Sequence, residues 1–302
     1  MSRGYPTGLV FVLALGLAPL AARGEGIAFV HEASIYLDAK EAPLKAPEGV
    51  ACTDKGYVVV ADTGNHRLLT FTFKDGRVAG GAEVKLAQLV SPFRVQIDSK
   101  GDVLALDSKT RRIVRVAANG SFGGAIDPPK VPGGAAVVVG AFKLDTSDNL
   151  YLLDIVGRRV LVLDSSGKVT AQVALPKESG TVTDIAVDAS GTLYAVDAVG
   201  AAVWSAEKGG KTFKPLTPSL KDRMSFPTYL TATKGRLFVV DQNGNGVVIL
   251  GLDGSYQGRH LSIGWGDGLV NYPAQVCLTS DGLAFVADRF NNRVQVFSTG
   301  GK

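Results

Sequence analysis

Six times along the chain a short apolar run ends in aspartate, passes through a polar turn and resumes as a strand of alternating character. Tyr57-Val58-Val59-Val60-Ala61-Asp62 followed by Thr63-Gly64-Asn65-His66-Arg67 is the fullest copy. The aspartates are Asp62, Asp107, Asp154, Asp197, Asp241 and Asp288, separated by 45, 47, 43, 44 and 47 residues. Six positions before each stands a turn residue: Gly56, Gly101, Asp148, Gly191, Gly235 or Gly282. Apolar runs this short, bounded by Gly and Asp, predict strands buried on both faces, since a helix needs a longer uninterrupted window. Beyond the turn, runs such as Arg293-Val294-Gln295-Val296-Phe297 alternate and predict half-exposed strands.

Each copy closes in a second turn, such as Asp75-Gly76, Asn119-Gly120 or Asp253-Gly254. A unit of roughly 40–45 residues holding four short antiparallel strands has the dimensions of one propeller blade. One such sheet cannot bury both faces, whereas six arranged radially can. The fold class expected is therefore all-β, a six-bladed β-propeller of four-stranded antiparallel blades. The blades are placed at about 47–91, 92–139, 140–180, 181–226, 227–272 and 273–301. The sixth copy ends without room for an outer strand, so residues 27–38 are expected to supply it and close the ring, removing two exposed edges.

The motifs Ala61-Asp62-Thr63-Gly64-Asn65-His66-Arg67 and Ala287-Asp288-Arg289-Phe290-Asn291-Asn292-Arg293-Val294-Gln295-Val296-Phe297 resemble the NHL-repeat family, as does the connector Ile263 to Pro273. The resemblance spans about residues 27–301 and implies a six-bladed propeller. It implies little about activity, because sites are grafted onto folds. Four copies place Arg five residues after the Asp, giving the pairs Asp62–Arg67, Asp107–Arg112, Asp154–Arg159 and Asp288–Arg293. Each pair is expected to pin its own hairpin by a charge-assisted bond. Copies four and five carry Ala202 and Gly246 instead, and no clasp is expected there.

Residues 1–22 read as a secretory signal peptide: Arg3, the apolar run Leu9–Leu20, then Ala21-Ala22. Residues 23–302 form the single mature domain, exported to the periplasm or the extracellular space. With 32 basic against 28 acidic residues, the excess is too small to imply nucleic acid or an anionic membrane. The two cysteines, Cys52 and Cys277, lie on the first strands of copies one and six. Export permits a bridge, but period two sets them on opposite faces and reads them as two buried free thiols.

Catalytic signatures are scarce. The three histidines, His31, His66 and His260, are scattered, there is no C-x-x-C, and Gly210-Lys211-Thr212 lacks the earlier Gly of a phosphate loop. Asp98, Asp145 and Asp188 recur just before turns and are read as bonding turn N–H groups, with a calcium or lactonase-type metal set as the functional alternative. No cofactor is expected; a structural calcium has no specific motif behind it. A ligand-binding rim is placed where connectors enter the first strands, at Glu48, Phe93, Arg94, Tyr229 and Gln275, with Ala274 beside them. The chain is expected to be a non-catalytic binding or scaffold module, monomeric, for a protein, peptide or glycan. The alternative is a metal-dependent hydrolase or lyase with a divalent ion in the channel.

Overall fold

The computed structural model describes Met1, residues 27–130 and residues 136–300. Apart from Met1, the expected signal peptide lies outside the described residues. The strands form six four-stranded antiparallel sheets. In blade one these are Gly49–Cys52, Tyr57–Asp62, Arg67–Lys74 and Arg77–Val84, paired in chain order from the axis outward. The second strands are the most buried: every residue of Leu150–Asp154 and Leu193–Asp197 is buried, as a strand covered on both faces requires.

The ring closes as the missing outer strand demanded. Val30–Ile35 pairs antiparallel with Arg293–Ser298, so the N-terminal strand is the fourth strand of blade six. Phe29 adds an edge-on contact with Phe297 and a tilted one with His260, which lies on the outer strand of blade five.

Core residues sort by parity. Val58 and Val60 of blade one pack with Phe285 and Ala287 of blade six, while Val59 and Ala61 pack with Val103 and Ala105 of blade two. Positions two and four before the repeat Asp therefore face the preceding blade, and positions one and three before it face the following one. Neighbouring sheets always meet through unlike faces.

This rule corrects the reading of the cysteines. Cys52 lies opposite Val58, Cys277 opposite Phe285, and directly opposed residues share a face. They do occupy opposite faces of their own blades, which is the condition for meeting across the seam. The two are joined by a disulfide with Cα atoms 5.9 Å apart, and no free cysteine remains among the described residues.

The hairpin clasp forms in three of the four blades expected. Arg67, Arg159 and Arg293 donate from Nε to Asp62, Asp154 and Asp288 at 2.8, 3.0 and 2.8 Å. Blade two departs: Asp107 accepts from the N–H groups of Ser91, Lys109 and Thr110, and Arg112 turns outward to Asp127 at 2.6 Å. Backbone donors alone hold Asp107. Blade five departs the other way. Where Gly246 was expected to forbid a clasp, Arg259 reaches in from the outer strand and meets Asp241 at 2.7 Å. In blade four Asp197 bonds the N–H groups of Gly180, Val199 and Gly200, with no arginine.

The residue after each turn is left-handed in all six blades: His66, Arg111, Arg158, Ala201, Asn245 and Asn292 have φ between 48° and 58°. Only Asn adopts that conformation readily among them. The two Asn side chains also staple blades together, Asn245 accepting from Tyr272 N–H and Asn292 from Ala46 N–H, both at 2.8 Å.

Candidate functional site

The axis is lined by the six first strands, and five of them carry a register shift next to their opening residue. Such a bulge re-aims a side chain. Just after it stand Arg94, Ala141, Asp184 and Tyr229, each opposite the residue that precedes a repeat Asp. Gln275 lies within the corresponding shift of blade six.

These side chains fill the channel. Arg94 of blade two donates to Glu48 O at 3.2 Å and to Thr228 O of blade five at 3.1 Å, so its guanidinium spans the axis. It also lies 5.3 and 5.4 Å from the ring centres of Phe93 and Tyr229. Lys143 Nζ donates to Asp184 Oδ2 at 2.8 Å and sits 3.7 Å from the Tyr229 ring centre. Asp184 Oδ2 also accepts from Leu230 N–H at 2.9 Å. Gln275 Nε2 donates to Val50 O and Val95 O, both at 2.9 Å.

Of the five residues expected on a free rim, Arg94, Tyr229 and Gln275 are buried in this plug. Phe93 is half-buried, and Glu48 pairs with Arg289 at 3.2 Å on the face above. Ala274 is buried in the seam between blades six and one. Lys143 and Asp184 were not singled out from sequence. Their signal was a charged residue interrupting an otherwise apolar first strand, as in Val139–Leu144 and Val182–Val187.

Two surfaces flank the plug. The face that carries the repeat turns and the connectors presents exposed apolar side chains: Ile155, Val156, Val199, Ile263, Trp265 and Phe290. Trp265 is 78% exposed and Val156 55%, far beyond what packing needs. Phe290 stacks on Tyr272 at 4.6 Å with Arg289 against both rings, which holds an aromatic platform at the channel mouth. On the opposite face a cup of about 260 Å³ opens along the axis, floored by Lys143, Tyr229 and Gln275.

The aspartates before the turns do structural work. Asp145 accepts from Ser147 N–H, Asn149 N–H and Tyr151 Oη, and Asp188 from Ser190 N–H, Thr192 N–H and Tyr194 Oη. Burial pushes both carboxyls up, but these bonds outweigh it and hold them below the ordinary value. Among the described residues no group of three His, Cys, Asp or Glu side chains is placed to hold a metal ion.

The phenols respond in the other sense. Burial, then the charge of Asp145, pushes Tyr151 up to about 12; burial and the bond to Asp188 push Tyr194 up as well. The folded state favours the neutral phenol, so this stabilisation is complete below the ordinary value of 10.0 and is lost as pH rises through the folded value. Urea unfolding across that window should show stability falling with pH. A Tyr151→Phe/Tyr194→Phe variant should lose most of that slope; an unchanged slope would assign it to other groups.

The NHL repeat profile matches residues 44–71 and 270–297, the first and last blades. No curated protein matches the sequence. Solved structures share the fold at low identity. A streptogramin B lyase aligns at TM-score 0.65 and 13% identity, covering 89% of this chain and 97% of that one. A gluconolactonase from Xanthomonas campestris aligns at 0.63 and 13%, covering 92% and 99%. The nidogen/laminin complex contains a chain that aligns at 0.56 and 19%, covering 77% and 91%. Enzymes and a chain of a protein–protein complex thus stand side by side among its structural neighbours, and the chain is a six-bladed β-propeller whose first and last blades match the NHL repeat.

Proposed function

We propose that the protein is an exported, non-catalytic binding module that takes a protein partner on the face bearing the repeat turns. The observation that carries this reading is the gathering of Ile155, Val156, Val199, Ile263, Trp265 and Phe290 on one face, exposed. Several large apolar side chains exposed on one face mark an interaction surface, and Trp and Phe are preferred anchors. Exposed lysines and acids alternate on the turns and connectors of the same face, as in Lys40-Glu41, Lys177-Glu178 and Lys221-Asp222. The complementary partner is therefore an apolar protein surface with a mixed-charge border. The laminin complex of a propeller neighbour supports a protein as the partner class. The Cys52–Cys277 disulfide supports an oxidising compartment.

The test is site-specific photo-crosslinking in the exported fraction, with the probe at Val156, at Trp265, or at Ser190 on the opposite face. The same partner should be captured from the first two positions and not from the third. A Val156→Asp/Trp265→Ala variant should lose about tenfold or more in yield, as loss of a hot-spot anchor implies. Its melting temperature should stay within a few degrees. Equal capture from Ser190, or undiminished yield from the variant, overturns the reading.

A further inference from the structure

We propose that the channel mouth on the turn face receives a glutamate or aspartate side chain of the protein partner, whose carboxylate closes on Arg94. The inference rests on the protein-binding reading of that face and names what the partner inserts there. The observation that carries it is a buried cation without a counter-ion. Arg94 is 9% exposed, and a buried charge is costly unless it is paired. The other cation of the plug, Lys143, has its match in Asp184 at 2.8 Å. Arg94 meets two main-chain carbonyls, Glu48 O at 3.2 Å and Thr228 O at 3.1 Å, and the rings of Phe93 and Tyr229. Among the described residues no carboxylate lies within ion-pairing distance of it. Glu48, whose carbonyl it touches, turns its own carboxylate away to Arg289. Ring faces compensate a cation only in part.

The second observation is the direction from which Arg94 can be reached. It does not line the cup on the opposite face, so the surface it keeps opens toward the turns. Its carbonyl partners take two of the five donors of a guanidinium, which leaves the others for a carboxylate arriving from that side. The third is the charge of the mouth. Arg111 stands 5.9 Å from the Phe93 ring centre, and Arg289 lies beside Glu48, so three guanidiniums face one carboxylate. Arg111 has no acidic partner among the described residues. A recess lined by one sign of charge draws the opposite sign. Phe93 lies within 6 Å of both Arg94 and Arg111 and offers an apolar wall to the methylene stem of the incoming acid. The Tyr272–Phe290 platform beside the mouth would then be covered by the partner's apolar surface, which keeps water from the charged contact.

The test is a chemical-shift titration of the isolated, ¹⁵N-labelled protein, following the arginine Nε–H signals. The probes are the capped tripeptide Ala-Glu-Ala, its Ala-Gln-Ala counterpart and inorganic phosphate. The Glu peptide should move the Arg94 signal with roughly millimolar affinity, as one charge-assisted contact allows, and the Gln peptide should bind at least about tenfold more weakly. Arg94→Lys, which assigns the signal by its loss, keeps the charge but not the planar fork, and should weaken the Glu peptide several-fold as read at Arg111. Should that variant fail to fold, Arg111→Glu, which sets a competing carboxylate at the mouth, should do the same and leave the melting temperature unchanged. A still Arg94 signal, an equal response to the Gln peptide, tighter binding of phosphate, or wild-type affinity in Arg111→Glu overturns the site. The titration needs no partner, so its failure is distinct from failure of the crosslinking at Val156 and Trp265.

Discussion

Replacing Cys52 and Cys277 together by alanine is expected to cost the protein about 2–4 kcal/mol, the usual range for a native disulfide. The bond spans 225 residues and so encloses nearly the whole ring. Chain entropy alone would assign such a loop about 5 kcal/mol. Less is expected here, because the N-terminal strand ties the same two ends through its pairing with Arg293–Ser298. The two devices act in parallel: the strand closes the outer edge of the seam and the disulfide closes it at the axis. Urea unfolding of the double variant, and of the wild type with and without reductant, should give one lowered midpoint shared by the variant and the reduced protein. Equal midpoints in all three would mean that the strand alone closes the ring.

Arg293→Leu should be as damaging. Its guanidinium is 1% exposed and joins Asp288, the Tyr36 hydroxyl at 2.7 Å, Asp267 at 3.2 Å, and the carbonyls of Gly266 and Leu269 at 2.7 and 2.8 Å. One side chain thus holds the blade-six turn, the segment after the N-terminal strand and the connector from blade five. Its loss leaves Asp288, fully buried, with only the neutral donors Asn271 N–H, Asn291 and Gln295. Removing one partner of a buried pair costs about 3–5 kcal/mol. At roughly 2–4 °C per kcal/mol for a domain of this size, the melting temperature should fall by about 10 °C. Arg112→Leu is the internal control. That arginine meets Asp127 in solvent, its side chain 49% exposed, so its loss should stay within about 1 kcal/mol. Equal losses from the two substitutions would contradict the distinction drawn between the clasps.

What was legible in the sequence was what local chemistry dictates. An apolar run closed by Asp and a turn fixes a strand and its hairpin, and six such units fix the ring and the outer strand it lacked. The bonding of Asp145 and Asp188 to their own turns followed for the same reason. What was not legible depended on residues brought together by the ring. Arg259 lies 18 residues from Asp241, so the blade-five clasp leaves no local spacing to read. Cys52 and Cys277 were assigned correctly to opposite faces, and the conclusion failed because it took neighbouring blades to meet through like faces. Arg94, Tyr229 and Gln275 were picked out as special but placed on a rim, since only the bulges show that they turn inward. Lys143 and Asp184 belong to separate blades, and their pairing exists only across the axis.

The closed ring, with unlike faces meeting at the seam of blades one and six, is tested most directly by a peptide map of unreduced protein made in an oxidising medium. A single linked peptide pair joining Cys52 to Cys277 is the expected result. Recovery of both cysteines as separately alkylated free thiols would contradict it.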